Sequence, residues 1–451
     1  MFTHGRAHYF RALLVAAVAA LFSAVPSVVA GAMGSDRGAL RRVVAQTSDG
    51  AAAGPALAAT SPSVTRIYGQ TAAATAVVEL EKAFPLSGST PVCPGGASHS
   101  IVLASDNGYQ DALSGQDLAQ HLGTGTLLTP TTSLSKSTLT ALRLEGIQKV
   151  YVVGGPLAVS TAVVNELEKT QAYGCGGMAP VEKSTGATVT LSVTRIYGQT
   201  AYGTAESVAL FVGSVPTLTF ADAYAGTNLT GGLGRFNDTG GSATEAPSAA
   251  SPTAILATDT SWEDAESASV ISYVEGMPIL LTAPTKLPAT TAAAVKALGV
   301  RQVILMGGPL AVANTVVKTL ELMGVAVLRI AGKDYTDTAA QLATFELSAV
   351  GSGLGWRPAE TSLFVAGGDG YTDGVAGAVL ERARVASQTP LLLTESSTTL
   401  GPYLKAFLRA VGTAGPGVGT DHRTVSALTI LGGPLAVTTA LAAQMQTALG
   451  D

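Results

Sequence analysis

The residues best suited to hold a ligand are three arginines that return at one place in a chain with few charges. Arg66 stands in Thr65-Arg66-Ile67-Tyr68-Gly69-Gln70-Thr71-Ala72, Arg195 in an identical octapeptide over residues 194–201, and Arg329 in the looser Leu328-Arg329-Ile330-Ala331-Gly332. A guanidinium is a planar fork that pairs with phosphate or carboxylate through two parallel hydrogen bonds. Each arginine has an aspartate downstream, Asp111, Asp264 and Asp373, at a turn into a helix. Such an aspartate either pairs with the arginine of its own copy or caps its helix. A third landmark is Gly-Gly-Pro-Leu-Ala-Val, which begins at Gly154-Gly155, Gly307-Gly308 and Gly432-Gly433. Glycine permits a tight turn after a buried strand and proline fixes φ. Backbone N–H groups at the helix start that follows can receive an anion. The same turn also has a purely structural use, and it is neither a Gly-x-Gly-x-x-Gly fingerprint nor a phosphate loop ending in Gly-Lys-Ser/Thr.

Little else in the chain suggests chemistry. Beyond the first residues only His99, His121 and His422 occur, at unrelated places, and no zinc-protease, paired-cysteine or Gly-x-Ser-x-Gly pattern is present. The acidic groups Asp106 with Asp111, Asp259 with Glu263 and Asp264, and Asp369 with Asp373 lack the ligand density of a calcium loop. No catalytic residue, metal or cofactor is expected. The net charge of −5, without a basic cluster, argues against nucleic acid. Cys93 and Cys175 lie in glycine-rich loops and permit one disulfide that would tie the first repeat's early loop to its exit. Arg6 and Arg11, an apolar run over residues 12–29 and Ala30-Gly31-Ala32 read as an export signal over residues 1–32. After its cleavage no membrane anchor is expected.

The elements that must position these residues repeat with them. Between the arginine and the Gly-Gly turn lies a short apolar run ending in threonine: Leu127-Leu128-Thr129, Leu280-Leu281-Thr282 and Leu392-Leu393-Thr394. Four landmarks in constant order, three times over, define a tandem repeat. Hydrophobic residues make up 47% of the chain and charged residues 13%, so buried cores are expected rather than disorder. Runs such as Ile101-Val102-Leu103 and Val303-Ile304-Leu305-Met306 are apolar throughout, as strands covered on both faces are. Each copy therefore reads as a small doubly wound α/β unit of parallel strands. The copies span residues 63–172, 193–323 and 325–450, with an insertion over about 213–252 in the second. Residues 33–62 read as a flexible leader.

Together the landmarks resemble the cell wall binding repeat 2 family. The nearest matches are Asp111-Ala112-Leu113-Ser114 and Pro278-Ile279-Leu280-Leu281-Thr282. The resemblance covers residues 63–450. It implies three Rossmann/Toprim-like repeats in a pseudo-threefold arrangement, and non-covalent binding to an anionic, teichoic-acid-like wall polymer. A secreted protein held at the cell wall or cell surface follows, with Arg66, Arg195, Arg329, Asp111, Asp264 and Asp373 as candidate polymer-binding residues. The family's stretch after the first arginine survives in the third copy as Asp334, Asp337, Thr338 and Ala339, whereas the first two copies keep only Thr75-Ala76 and Thr204-Ala205 and lose the charged positions, so the copies are not expected to be equivalent. Two other readings remain open: an α/β enzyme acting on the wall or on a nucleotide sugar, and a self-assembling surface or adhesion protein.

Overall fold

The computed structural model describes residues 62–85, 93–176, 178–181, 188–218, 250–348, 353–356, 362–383, 388–412 and 424–451. The expected export signal, the expected leader except Pro62, and residues 219–249 of the expected insertion lie outside them.

The first copy runs β1 (Ser63–Ile67), α1 (Ala72–Ala83), β2 (Ser100–Ser105), α2 (Tyr109–Ser114), α3 (Gln116–Leu122), β3 (Thr126–Thr129), α4 (Lys136–Leu144), β4 (Lys149–Val153) and α5 (Thr161–Lys169), followed by the short pair β5 (Tyr173–Gly174) and β6 (Met178–Pro180). The second runs β7 (Ser192–Ile196), α6 (Ala201–Val212), β8 (Thr217–Leu218), β9 (Ser251–Thr258), α7 (Glu263–Glu266), α8 (Ala268–Glu275), β10 (Ile279–Thr282), α9 (Ala289–Ala297), β11 (Gln302–Met306) and α10 (Asn314–Leu322). The third runs β12 (Ala326–Ile330), α11 (Tyr335–Leu347), β13 (Ser362–Ala366), α12 (Thr372–Gly377), α13 (Leu380–Ala383), β14 (Leu391–Leu393), α14 (Pro402–Val411), β15 (Ala427–Leu431) and α15 (Thr439–Gly450). The helical stretch that carries Asp111 is two short helices, α2 and α3, meeting at Gly115.

The strands form three main sheets, and none is made from a single copy. Their orders are β3-β2-β4-β7, β10-β9-β11-β12 and β14-β13-β15-β1. Within each the copy's own three strands are parallel, and the fourth is the first strand of the next copy. The exchange closes on itself: β1 of the first copy pairs with β15 of the third, Ser63 opposite Ala427 through Ile67 opposite Leu431. A copy is thus not a self-contained unit. Its last strand would present open N–H and C=O groups, and the exchanged strand covers them. Among the described residues, the only antiparallel partner of a main sheet is β8, which pairs with β9.

Composition explains which strands sit where. The central strands β2 and β13 are buried at every position. The exchanged strands β1 and β7 share the sequence Ser-Val-Thr-Arg-Ile, rich in β-branched residues, and alternate exposed with half-buried positions, as an edge strand does. The first helix of each copy then returns to its own sheet. Its N-cap is Thr71, Thr200 or Asp334, whose side chain accepts from Ala74, Gly203 or Asp337 N–H.

The three copies also meet through aromatic residues at equivalent positions after their central strands. Tyr109 and Tyr371 pack edge to face with ring centroids 6.0 Å apart, and Trp262 lies 6.3 Å from Tyr371. Gly108 N–H donates to the Tyr371 hydroxyl at 2.7 Å, and the Tyr109 hydroxyl donates to Thr258 O at 3.3 Å. Cys93 and Cys175 are bonded, with Cα atoms 6.0 Å apart.

Several carboxyl groups are buried in this core. Burial pushes Asp117 up to about 7. Glu145 rises to about 8, through burial first and the charge of Glu81 second. Glu79, Glu266 and Glu346 are held well above the usual carboxylate range, burial again being the main cause. Unfolded, these groups titrate near pH ~4. The folded chain therefore binds more protons between about pH 4 and 8, and stability falls as pH rises through that window. The thermal midpoint is expected to drop by on the order of 5 °C between pH 5 and pH 8. Glu145→Gln should flatten the profile, and a midpoint that climbs with pH would contradict the assignment. A second expectation concerns ring closure. A chain beginning at Gln70, and so lacking β1, should show faster amide exchange along β15 while β4, paired with β7, keeps its protection. Unaltered exchange at residues 427–431 would mean that the closing strand is dispensable.

Candidate functional site

The strand exchange brings the landmark residues together at three junctions, each built from two copies. At the first, Gly154 ends β4 with φ +113°. Its N–H donates to Ile196 O on β7 at 3.0 Å. A side chain there would strike the Asp111 carboxylate. Gly307 (φ +92°) and Gly432 (φ +102°) stand in the same relation to Asp264 and Asp373. Only glycine meets both demands, a left-handed backbone and a carboxylate against its Cα.

The arginines arrive on the exchanged strands. Arg195 donates through Nη1 to Gly154 O at 2.6 Å and through Nη2 to Val159 O at 2.7 Å, so it bridges both ends of the turn. Arg329 repeats this with Gly307 O at 2.7 Å and Val312 O at 2.9 Å. Arg66 donates through Nη1 to Gly432 O at 2.8 Å. Each guanidinium thus meets the turn of the copy before it, and the aspartates within electrostatic range of Arg195 and Arg66, Asp111 and Asp373, also belong to that copy. The expected pairing with an aspartate of the same copy is corrected: strand exchange carries the arginine across the junction. Nor do the aspartates cap their helices. The N-cap positions are Gly108, Trp262 and Tyr371, none with a side-chain bond, and each aspartate lies inside the first turn.

Sequence reasoning did not single out the partner those aspartates have. Asp111 is hydrogen-bonded by Thr204, Asp264 by Thr338 and Asp373 by Thr75, each from the following copy. The same hydroxyls accept the N–H of Gly198, Gly332 and Gly69 at 3.1, 3.0 and 3.1 Å. The signal was available, because each of these threonines falls nine residues after its arginine. Burial dominates the electrostatics. It pushes Asp111 up to about 6, against the pull of Thr204 and Arg195. Asp373 is raised by burial and drawn back by Thr75 and Arg66. Asp264 is raised by burial, opposed by Thr338, with Glu263 and Asp334 adding to the rise. Desolvation lowers all three arginines.

Beyond the clasp, each turn faces outward. Leu157, Leu310 and Leu435 are 95–101% exposed. Ser160 and Thr438 cap the following helices, accepting from Val163 and Leu441 N–H at 3.4 and 3.3 Å. Among the described residues, no acceptor receives the N–H of Gly155, Leu157, Gly308, Leu310, Gly433 or Leu435. No group of three or more potential metal ligands lies together among the described residues. None of their helices is long and apolar enough to cross a membrane.

The fold and its junctions define a binding scaffold of three interlocked α/β repeats. The chain matches the family described as cell wall binding domain 2 over residues 66–164, 237–317 and 329–442, and it belongs to that family. It is 25% identical over 387 residues to the N-acetylmuramoyl-L-alanine amidase LytC of Bacillus subtilis (strain 168), covering 85% of this chain and 58% of that protein. Its fold is similar to those of Cwp6 and Cwp8 from Clostridium difficile. Cwp6 matches with a TM-score of 0.62 at 17% identity, over 90% of this chain and 51% of that one. Cwp8 matches with a TM-score of 0.57 at 18% identity, over 86% and 51%. The chain thus spans little more than half the length of these relatives. A module that binds the cell wall is what the family membership establishes.

The clasp makes a direct prediction about stability. Arg195→Ala leaves two turn carbonyls without their donor and should cost about 3 kcal/mol in urea unfolding. Arg195→Lys, a single point donor, should recover only part. A loss within about 0.5 kcal/mol, ordinary for a surface change, would show the arginine to be incidental to the fold.

Proposed function

We propose that this chain is an exported, non-catalytic protein that attaches non-covalently to an anionic secondary polymer of the bacterial cell wall, teichoic-acid-like in its repeating negative charge. The attachment sites are the three junctions: Arg66, Arg195 and Arg329, the turns at Gly154-Gly155, Gly307-Gly308 and Gly432-Gly433, and Asp111, Asp264 and Asp373 as the groups that set their geometry. One observation carries the reading. Each guanidinium is bonded to uncharged oxygens, so its positive charge is not cancelled at contact, and it sits beside outward turn N–H groups without an acceptor. Charge and open donors together favour phosphate or carboxylate. Three such places in one closed ring suit a polymer, whose repeating units can engage more than one at a time and gain avidity.

Arg66 and Arg195, half-buried, therefore have two duties, holding the turn and offering charge, while Arg329, 6% exposed, offers its charge from beneath the surface. A catalytic reading has less support. The hydroxyls beside the junction aspartates, Thr75, Thr204 and Thr338, are each also tied to a backbone N–H, and the relative that is named as an amidase shares 58% of its length with this chain. The location this implies is the cell wall, reached by secretion through the N-terminal signal.

The test is co-sedimentation of the protein with walls purified from the organism that makes it, before and after acid extraction of secondary polymers. Binding should be lost with the polymers and weaken as salt is raised. Equal binding to extracted walls would move the ligand to peptidoglycan, and no binding to intact walls would remove the reading altogether.

A further inference from the structure

The three junctions share a backbone but not a rim. At the first, Tyr197 packs its ring edge on the turn: a Cβ on Gly155 would lie 3.2 Å from Tyr197 Cδ2. At the closing junction Tyr68 does the same, 3.1 Å from a Cβ on Gly433. At the second the equivalent residue is Ala331, 3.9 Å away. Tyr197 remains 47% exposed, unusual for an aromatic residue with apolar packing at hand, and Tyr68 is half-buried. Both tyrosines lie within electrostatic range of the junction arginine, Tyr68 of Arg66 and Tyr197 of Arg195. Each also borders a turn with a fully exposed leucine, Leu157 or Leu435, and free backbone donors.

From this juxtaposition we propose that Tyr68 and Tyr197 are sugar-stacking platforms. Two of the three junctions would take a glycosyl unit together with its adjoining anionic group, whereas the Ala331 junction would take the anionic group alone. The inference rests on the polymer-binding reading and adds to it the unit recognised and the inequality of the sites. A pyranose presents one face of C–H groups and a rim of hydroxyls. An aromatic ring with a polar tip matches both, its apolar face against the C–H face and its hydroxyl among the polar groups. An arginine and turn N–H groups beside that ring would then hold the phosphate or carboxylate. The second junction has lost the ring and gained Lys333, an exposed cation following Gly332, so its chemistry is shifted to charge.

The test uses the full chain, its purified walls, and N-acetylglucosamine 1-phosphate, N-acetylglucosamine and inorganic phosphate as soluble competitors. Tyr197→Ala and Tyr68→Ala should each weaken wall binding by about tenfold, while Tyr197→Phe and Tyr68→Phe stay within about twofold. Ala331→Tyr should tighten binding, and the sugar phosphate should compete better than phosphate or the sugar alone. Unfolding midpoints of the alanine variants separate lost stacking from a loosened turn: a variant that regains parental affinity on stabilisation by low temperature was only loosened, and the platform fails. If the parent binds walls and all four tyrosine variants bind equally, the platforms are disproved and charge-based attachment stands. If inorganic phosphate competes as well as the sugar phosphate, the glycosyl subsite is likewise disproved. If the parent does not bind walls, both readings fall together.

Discussion

The structure depends on one interaction, the parallel pairing of each copy's first strand with the last strand of the copy before it. Without it each sheet would stop at β4, β11 or β15, leaving the open donors and acceptors of a largely buried strand at its edge in place of the half-exposed exchanged strand. An open array of repeats passes that problem to its terminal units, which need special caps. Here β1 is taken up by β15, so the array closes and the first and last copies need none. The pairing also decides where the charge goes. Because arginine is the fourth residue of the exchanged strand, its side chain reaches the neighbour's turn, and no copy carries a complete junction alone.

The junction shows how a chain with few charges uses them. The guanidinium closes the turn by bonding carbonyls, and threonine steadies the buried aspartate that the turn glycine accommodates. Neither charge is consumed in a direct ion pair with the other, so the clasp does not carry the full cost of burying one. Burial raises the aspartate and lowers the arginine, the same desolvation acting on opposite charges. Elsewhere Glu79 and Glu266 lie wholly buried against α12, where Gly374 leaves room for Glu266, and Gly377 for Leu431 first and Glu79 beside it. These glycines replace the larger residues of a typical helix interior, so the third copy has given up helix propensity to admit carboxyl groups from the other two.

Much of this was legible in the sequence. The repeat, the parallel α/β class and the strands covered on both faces followed from recurring landmarks and unbroken apolar runs such as Ile101-Val102-Leu103. The exchange was not legible, and the reason is physical. A strand pairs through its backbone, so Ser-Val-Thr-Arg-Ile carries no mark of which neighbour it joins. Arginine and aspartate were therefore assigned to one copy when they meet across two. The threonine at a fixed spacing was visible but silent, since its role exists only once two copies are placed side by side. The division of α2 from α3 at Gly115, where Val102 lies against the glycine, was not legible either.

Equivalence of the copies ends where the backbone's demands end. The left-handed glycine, the arginine and the threonine appear at every junction, where they hold the turn and its aspartate. The residues around them vary: tyrosine, tyrosine and alanine beside the turn, and threonine, threonine and aspartate as the helix cap. At the exposed cap positions such variation costs little stability, since surface changes contribute little to the core. It is also where a repeating polymer would be told apart from any other polyanion. Charge alone attracts all polyanions alike, whereas discrimination needs groups that fit one unit and leave another unsatisfied. Closure thus fixes three similar junctions, and their rims are free to differ without risk to the ring.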